Sequence, residues 1–563
     1  ISFGRLAIHL QLLAVVMFLL PSTFIAGLAF PVLVRRLESK AIETPRALAR
    51  LYAWNTLGSV LGSLITGFYL LPVLGSETTL LLILGLSLAS AAMAAVFLSE
   101  EKCRQGAAVW ALAVCACFAL YRGFPAPELT LASSTYGLDY AGFTQQIQAA
   151  LKQNVFFAEG KTSNVMVRES GVTRSLTLNG LGQGGYSEAP PHHVFESLLV
   201  GFVPLAHVPE PRNALVVGLG AGSTVDYLLR KGVPSLTVVE LEGEVARAAN
   251  FVFRGKSPVQ DPRVDLQIGD ARHFLRVNLR QSERRFDLLT SMPAHPWVAA
   301  PIFTKEFFEL ARDNLSERGV FATWFGHGQM PKEAVESLFA AFTQTFENYL
   351  VYQIDEVGAF YLVGSRAPLR IDPAYLARLQ SQAPEQEHLQ LRSSSFLPRR
   401  VFASGDASVA RPPLGMANRD DRSQVEMLAP LRLPPGLPNV ELASAFAASY
   451  LRPEQVQSPN AMGALRDWLE ELLGTPQGRP GAFHYVPRVE MAQRWVDGLK
   501  GRLTPAEREY FLARILILQD KVTEGLVGLA RAEKADSQGA LAARIGPWRR
   551  RAGRILNSEF DPA

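Results

Sequence analysis

Three alternate glycines, Gly218, Gly220 and Gly222, stand in the run Val216-Val217-Gly218-Leu219-Gly220-Ala221-Gly222-Ser223, after an apolar stretch and before a helical one beginning near Thr224. A side chain at those positions would hold the backbone away from a ligand. A strand that turns there into a helix delivers the ligand to the carboxyl edge of a sheet, beside a helix N-terminus. The pattern alone is moderately specific, and two acids sharpen it. Glu240 ends the next apolar stretch 18 residues after Gly222, where a carboxylate can accept protons from two ribose hydroxyls. Asp270, following Gly269, ends the third, where it can meet an adenine amino group. No basic residue directly follows Glu240, so nothing supports a 2′-phosphate. The combination reads as a site for a nucleoside of the S-adenosylmethionine kind; the competing reading is a glycine turn with incidental acids.

Other chemistry-bearing residues carry less. His295 sits between Pro293 and Pro296, which fits a loop residue hydrogen-bonded locally better than a catalytic base. His192-His193 is a tempting metal pair, but adjacent residues on one segment usually point apart and no third ligand is evident, so no metal is expected. Arg549-Arg550-Arg551 reads as a solvated helix face, with anionic lipid headgroups as a weaker alternative. Cys103, Cys115 and Cys117 are the only cysteines, so the second half has neither a disulfide framework nor a cysteine metal site.

The elements that must position the nucleoside residues alternate between strand and helix. Strands are expected near Ala214–Val217, Leu236–Glu240, Val264–Ile268, Phe286–Thr290, Gly319–Trp324 and Phe360–Val363, which predicts a mostly parallel, doubly wound sheet covered on both faces. Ahead of it, Asn164–Arg168 and Ser175–Leu178 with the turn signal Asn179-Gly180 predict a small antiparallel unit. Thr504–Leu518 and Asp520–Glu533 predict an antiparallel helix pair with Thr504 as cap.

At 563 residues the chain exceeds one core, and its 48% hydrophobic content is high for a purely soluble protein. That apolarity gathers in residues 1–124. Leu6–Val34, Trp54–Leu74, Thr78–Leu98 and the shorter Ala107–Tyr121 are read as about four membrane spans, the middle two forming a hairpin through Gly75-Ser76-Glu77. Gly58 and Gly62, four apart, suit close helix packing. The chain opens on Ile1, so upstream sequence, including further helices, is expected. The net charge of +4 is not gathered into a stripe, and no nucleic-acid partner is expected. Arg35, Arg36, Lys40, Arg46 and Arg50 after the first span, and Lys102 and Arg104 after the third, mark those loops as cytoplasmic. If the fourth segment crosses, the remainder lies outside the cell, away from a cytosolic nucleoside; the side is left open.

The expected organisation is residues 1–124 as transmembrane helices, 125–154 as linker, 155–205 as the antiparallel β unit, 206–366 as a Rossmann-like nucleoside-binding domain, 367–439 as an irregular Pro- and Ser-rich extension, and 440–563 as a helical region. The fold class is thus a multi-pass α-helical membrane domain joined to an α/β doubly wound domain of the class I S-adenosylmethionine-dependent transferase type.

A family resemblance rests on ordered blocks: Asn179-Gly180 with Gln183, the turn Gly218 to Ser223, Val238-Val239-Glu240-Leu241-Glu242, Asp261-Pro262-Arg263-Val264, Gly269-Asp270, and Ile302-Phe303-Thr304-Lys305-Glu306-Phe307-Phe308. Through them residues 155–365 resemble spermidine synthase, the polyamine aminopropyltransferase. With Leu51-Tyr52-Ala53-Trp54-Asn55-Thr56-Leu57-Gly58, Pro293-Ala294-His295-Pro296-Trp297 and Asn418-Arg419-Asp420-Asp421, the chain is similar to bacterial multi-pass membrane proteins ending in such a domain, which implies a bacterial inner-membrane location and the lipid bilayer as partner.

The resemblance implies aminopropyl transfer from decarboxylated S-adenosylmethionine to a small amine, with Gln183, Glu240 and Asp270 holding the nucleoside and Gly218, Gly220 and Gly222 shaping the turn. The soluble enzyme places an aspartate after the fourth strand as positioning group and base; here that position is Met292, whose thioether can neither take a proton nor pair with an ammonium. Ala221 and His295 stand where the family has further aspartates, and Glu196-Ser197 where it has a tyrosine and histidine of the amine pocket. Two alternatives therefore stand beside it: a non-catalytic membrane scaffold or nucleoside sensor, and a methyltransferase using intact S-adenosylmethionine, whose carboxylate the loss of an acid at Ala221 would favour. A protein partner or oligomer through the membrane and C-terminal helices is also expected.

Overall fold

The structure, a computed structural model, describes residues 44–97 and 152–558 apart from interruptions at 283, 294–295, 297, 327–329, 355–356, 383–384, 393–395, 406–413, 429–455, 457–459, 474–484 and 500, with a few isolated positions between 105 and 115. The chain divides into two compact units, residues 1–166 with 178–181, and residues 167–177 with 182–563.

In the first unit, α1 (Thr44–Ile65) runs into a π-helical turn (Thr66–Leu70) and then α2 (Leu71–Phe97). Gly75 interrupts α2 with φ 77° and ψ 170°, a conformation outside the helical region that glycine adopts without a Cβ penalty. The backbone N–H and hydroxyl of Ser76 both donate to the carboxylate of Glu159, on β1 (Asn154–Glu159). These features correct the membrane expectation. The apolar run Trp54–Leu74 crosses from α1 through the π turn into α2, and among the described residues no helix is long and apolar enough to cross a membrane. The multi-pass domain and the inner-membrane location built on it are therefore withdrawn. Leu6–Val34 and most of Ala107–Tyr121 lie outside the described residues.

After β1, strands β2 (Asn164–Ser170), β3 (Thr173–Leu178) and β4 (Leu181–Ser187) continue one four-stranded sheet in sequence order. The turn before β4 has Asn179 at φ 48° and Gly180 at φ 80°, and the Asn179 side chain accepts from the Asn164 N–H at 2.8 Å. Two successive left-handed residues are what a two-residue hairpin turn requires.

The second unit is built on an eight-stranded sheet. Its strands are β5 (Ala214–Val217), β6 (Leu236–Glu240), β7 (Val264–Ile268), β8 (Phe286–Ser291), β9 (Leu315–Gly326), β10 (Asn348–Ile354), β11 (Ala359–Ser365) and β12 (Val401–Gly405), in spatial order β12-β10-β11-β9-β8-β5-β6-β7. From β9 to β7 the pairings are parallel, while β11, β10 and β12 add an antiparallel flank. All residues of β5 and β6 are buried, as expected of central parallel strands covered on both faces. The chain leaves β5 toward β6 and β7 and then returns to lay β8 on the other side of β5, so a topological switch point lies between β5 and β8.

Helices α3 (Phe195–Leu205), α4 (Ser223–Arg230), α5 (Gly243–Val252), α6 (Ala271–Gln281), α7 (Lys305–Asp313) and α8 (Lys332–Thr345) accompany these strands. The Thr290 hydroxyl donates to the Val200 carbonyl of α3 at 2.9 Å, fixing α3 on one face of β8. A cluster of rings packs with α7 and α8, in which Phe308 meets Phe342 edge-on at 5.4 Å and Phe321 stacks on Phe346 at 5.6 Å.

The extension expected to be irregular holds α9 (Pro373–Gln380), which starts on the Asp372 cap, and β12, which pairs with β10. The short α10 (Gln424–Leu428) follows. Beyond it come α11 (Ala461–Leu473), α12 (Tyr485–Gly498), α13 (Pro505–Leu518), α14 (Val522–Ala535) and α15 (Ala542–Ser558). Thr504 and Glu507 form a reciprocal capping box on α13. An added Cβ on Gly525 would fall 2.5 Å from Ile517, and one on Gly528 2.9 Å from Ala513, so the two helices run antiparallel at close range. The Arg514 guanidinium, buried beside the Glu470 carboxylate, lies 4.6 Å from the Trp548 ring of α15, and Arg551 lies 5.1 Å from the same ring.

Candidate functional site

The bend after β5 keeps all three glycines in the left-handed region, with φ of 86°, 54° and 92° at Gly218, Gly220 and Gly222. Gly222 is the most constrained: an added Cβ would press on Phe253 and Pro258 at 3.2 Å. Strand β4 braces the bend, its Gln183 carbonyl accepting from the Ala221 N–H at 3.2 Å and its Gly185 carbonyl from the Ser223 hydroxyl at 3.0 Å. Gln183 is buried.

Glu240, 7% exposed, places one carboxylate oxygen 2.7 Å from the Leu219 N–H and the other 2.9 Å from the Glu242 N–H. Burial pushes its carboxyl above the ordinary value, and N–H donors from Glu242, Leu219 and Gly220 oppose that push. With three N–H donors on two oxygens, the carboxylate keeps part of its acceptor capacity. The Gly269 N–H donates to the Glu240 carbonyl at 2.8 Å, so Asp270 follows on the neighbouring strand end. One oxygen of Asp270 caps α6 through the His273 N–H at 2.9 Å. Two apolar side chains flank these acids in solvent, Leu241 at 56% exposure and Ile268 at 55%. Neither stands out in the sequence, because each merely continues an apolar strand; exposure at a strand end identifies them.

Met292 follows β8, its N–H donating to the Val217 carbonyl at 3.0 Å. The Thr224 hydroxyl donates to the Ser197 carbonyl at 2.9 Å and lies 3.6 Å from the Met292 sulfur. The structure thus brings Gln183, the three glycines, Glu240, Asp270 and Met292 to one edge of the sheet. His295 lies outside the described residues. His192 and His193 face different carboxylates, Nε2 to oxygen 3.6 Å at Glu387 and 3.0 Å at Asp226.

On the other side of Met292, beside Glu196, are two rings the sequence did not single out, Trp324 and Tyr361. Trp324 pairs in register with Tyr361 and stacks on it, ring centroids 6.0 Å apart. The Tyr361 hydroxyl donates to the Glu196 carbonyl at 3.3 Å, in the first turn of α3. Burial raises the Glu196 carboxyl above its ordinary value. An open cleft of about 540 Å³ lined by Arg212, Lys231, Tyr375 and Arg378 lies at the opposite edge, before β5 and β6 begin, and has none of the glycine bend's chemistry.

A parallel sheet with its switch point at a glycine bend, and acids on the next two strand ends, defines a Rossmann-like α/β domain. Residues 192–358 match the spermine/spermidine synthase domain, and the chain carries a spermidine synthase-like domain. It is 28% identical over 190 residues to polyamine aminopropyltransferase 1 of Hyperthermus butylicus, covering 33% of this chain and 63% of that relative, less than two thirds of its length. With the polyamine aminopropyltransferase of Pyrococcus abyssi it shares 27% identity over 241 residues, covering 39% of this chain and 80% of the relative. Among solved structures it is similar to a spermidine synthase in complex with the transition state analogue AdoDATO, with TM-score 0.35 and 19% identity over 41% of this chain and 80% of the other. A second is the Thermotoga maritima spermidine synthase, with TM-score 0.31 and 20% identity over 38% and 73%.

Proposed function

We propose that this domain binds decarboxylated S-adenosylmethionine at the glycine bend and transfers its aminopropyl group to a small amine. The observation that carries the reading is the placement of Glu240 and Asp270 on adjacent strand ends, with the Glu240 carboxylate held by the backbone N–H groups of Leu219 and Glu242. Held that way, its remaining acceptor capacity suits a ribose hydroxyl, Asp270 keeps an oxygen for an adenine amino group, and Leu241 and Ile268 offer apolar surface to a purine. The donor supplies an electrophilic methylene: the amine nitrogen forms a bond to it, the carbon–sulfur bond breaks with its electron pair going to sulfur, methylthioadenosine leaves, and the new ammonium gives up a proton to solvent or a base. The chain's part is to hold the nucleoside, exclude side chains from the bend and orient the amine. Calorimetric titration of the full chain with decarboxylated S-adenosylmethionine and 5′-methylthioadenosine tests this; absence of heat with both sinks it.

A non-catalytic nucleoside sensor is the second reading, favoured by the Met292 thioether at the end of β8, where no proton can be taken. Turnover separates the two: methylthioadenosine released from the donor with a diamine present supports transfer, and tight nucleoside binding without release supports sensing.

A further inference from the structure

Residues 418–420, in the extension beyond the sheet, dock at the first turns of α6 and α7. Asn418 is fully buried and fixes them. Its side-chain N–H donates to the Phe303 carbonyl at 3.0 Å, its side-chain oxygen accepts from the Val425 N–H at 3.1 Å, and its backbone N–H donates to the Ser337 carbonyl at 3.0 Å. Glu306, in the first turn of α7, accepts from the Arg419 guanidinium at 2.9 Å and from the Asp420 N–H at 3.1 Å. None of these bonds uses the Asp420 side chain, so its place is set independently of its partner.

That partner is Arg272, two residues after Asp270. Its two Nη groups donate to the two Asp420 oxygens, Nη1 at 2.7 Å, and Nη1 also donates to the Pro301 carbonyl at 2.9 Å. A bidentate pair fixes the plane of the guanidinium as well as its position. The Arg272 side chain is only 11% exposed. Asp270, meanwhile, accepts from the His273 N–H on one oxygen, and its other oxygen accepts no hydrogen bond among the described residues.

A second Asp-x-Arg in the chain shows what this spacing does when no other carboxylate takes the arginine. Asp261 has φ −64° and ψ 132°, close to the φ −75° and ψ 125° of Asp270, and each accepts from a backbone N–H two or three residues on. Arg263 folds back on Asp261, Nε and Nη2 donating to its two oxygens at 2.9 and 2.8 Å. Arg272 is instead turned to Asp420, and Asp270 stays open. An open carboxylate oxygen accepts from an exocyclic amino group and repels an exocyclic carbonyl; a guanidinium seated on it would occupy the same acceptor and remove the repulsion.

We propose that Asp420 is a positioning residue for the nucleoside site: by holding the Arg272 guanidinium it keeps the outer oxygen of Asp270 open to the amino group of an adenine, and so sets a preference for an amino-purine over an oxo-purine. This role rests on the nucleoside reading and extends it to a residue 148 positions beyond Arg272.

The full chain, its Asp420→Ala variant and the double variant Asp420→Ala/Arg272→Met are titrated calorimetrically with 5′-methylthioadenosine and 5′-methylthioinosine. Asp420→Ala should weaken methylthioadenosine by about tenfold, the size of one charge-assisted hydrogen bond, without weakening methylthioinosine, and the double variant should recover to within about threefold of the parent. Recovery is what a plain latch between the extension and α6 would not give, because the double variant lacks that latch too. Equal methylthioadenosine affinity in the parent and Asp420→Ala, equal losses for the two nucleosides, or no recovery in the double variant overturns the role of Asp420 and leaves the nucleoside reading standing. Failure of the parent chain to bind methylthioadenosine overturns the nucleoside reading, and this role with it.

Discussion

Two sides of one strand edge meet at the glycine bend, and they differ in what their acids touch. On the β6–β7 side, Glu240 is almost wholly buried yet takes N–H groups from Leu219 and Glu242, and Asp270 caps a helix with one oxygen. On the β8–β11 side, a thioether occupies the strand end, and the nearby carboxylate of Glu196 has lost solvent without gaining a hydrogen bond among the described residues. The first side is set by its own backbone before any ligand arrives, which is how binding energy is conserved for the ligand. The second keeps a carboxylate whose charged form burial disfavours.

The sharpest way to test that contrast is to put an acid where Met292 stands. In Met292→Asp a carboxylate replaces the thioether, and a base lies at the strand end. Release of methylthioadenosine from the donor in the presence of 1,4-diaminobutane should rise by about 100-fold, the lower end of what a positioned general base contributes. An unchanged rate with intact diamine binding would show that the second side lacks more than an acid. A smaller effect is expected on the first side. In Glu240→Gln an amide N–H faces the N–H of Leu219 or Glu242, leaving a buried donor unmet at about 1–3 kcal/mol. Affinity for 5′-methylthioadenosine should drop by roughly 10- to 100-fold by calorimetry, while diamine affinity holds.

The same contrast governs how much could be read from the residues in order. The bend, Glu240 and Asp270 each follow directly on a short apolar run, so strand, turn and acid are local features and their relative placement follows from parallel winding. The recess on the other side depends on the antiparallel pairing of Trp324 with Tyr361 and on where α3 begins, both set by contacts distant in sequence. Strand β12 was missed for a related reason: Val401–Gly405 becomes a strand by pairing with β10, which a propensity scan of a Pro-rich stretch cannot see. In the first unit composition misled. Apolar content made Trp54–Leu74 look like one span, but none of the described helices is long and apolar enough to cross a membrane, and the backbone leaves helical geometry at Gly75, which hydropathy does not measure.

Backbone tolerance along the edge gives the next comparison. Gly222→Ala forces a side chain into φ 92° against Phe253 and Pro258, which should cost about 1–3 kcal/mol. Thermal midpoints should fall by roughly 2–4 °C per kcal/mol lost. Gly269→Ala, on the same edge with open space around the added carbon, should leave the midpoint unchanged. Equal losses at both would mean that the bend is no tighter than the rest of the edge.

The smallest effect separates the two carboxylates by pH. Burial raises both Glu240 and Glu196 above the ordinary value of 4.5, so each favours the folded state most when protonated, and that contribution disappears as pH rises through the raised folded value. Exchanging Glu196 for Gln removes a charge with no hydrogen-bond partner among the described residues, so the variant should match the parent below pH 4.5 and modestly exceed it above. Glu240→Gln should fall below the parent at neutral pH, because the carboxylate it removes was already satisfied by N–H donors. Thermal midpoints of the three proteins between pH 4 and pH 8 read this directly. Should Glu196→Gln lose stability at neutral pH, its carboxylate has a partner in the folded protein, and the two sides of the edge are alike after all.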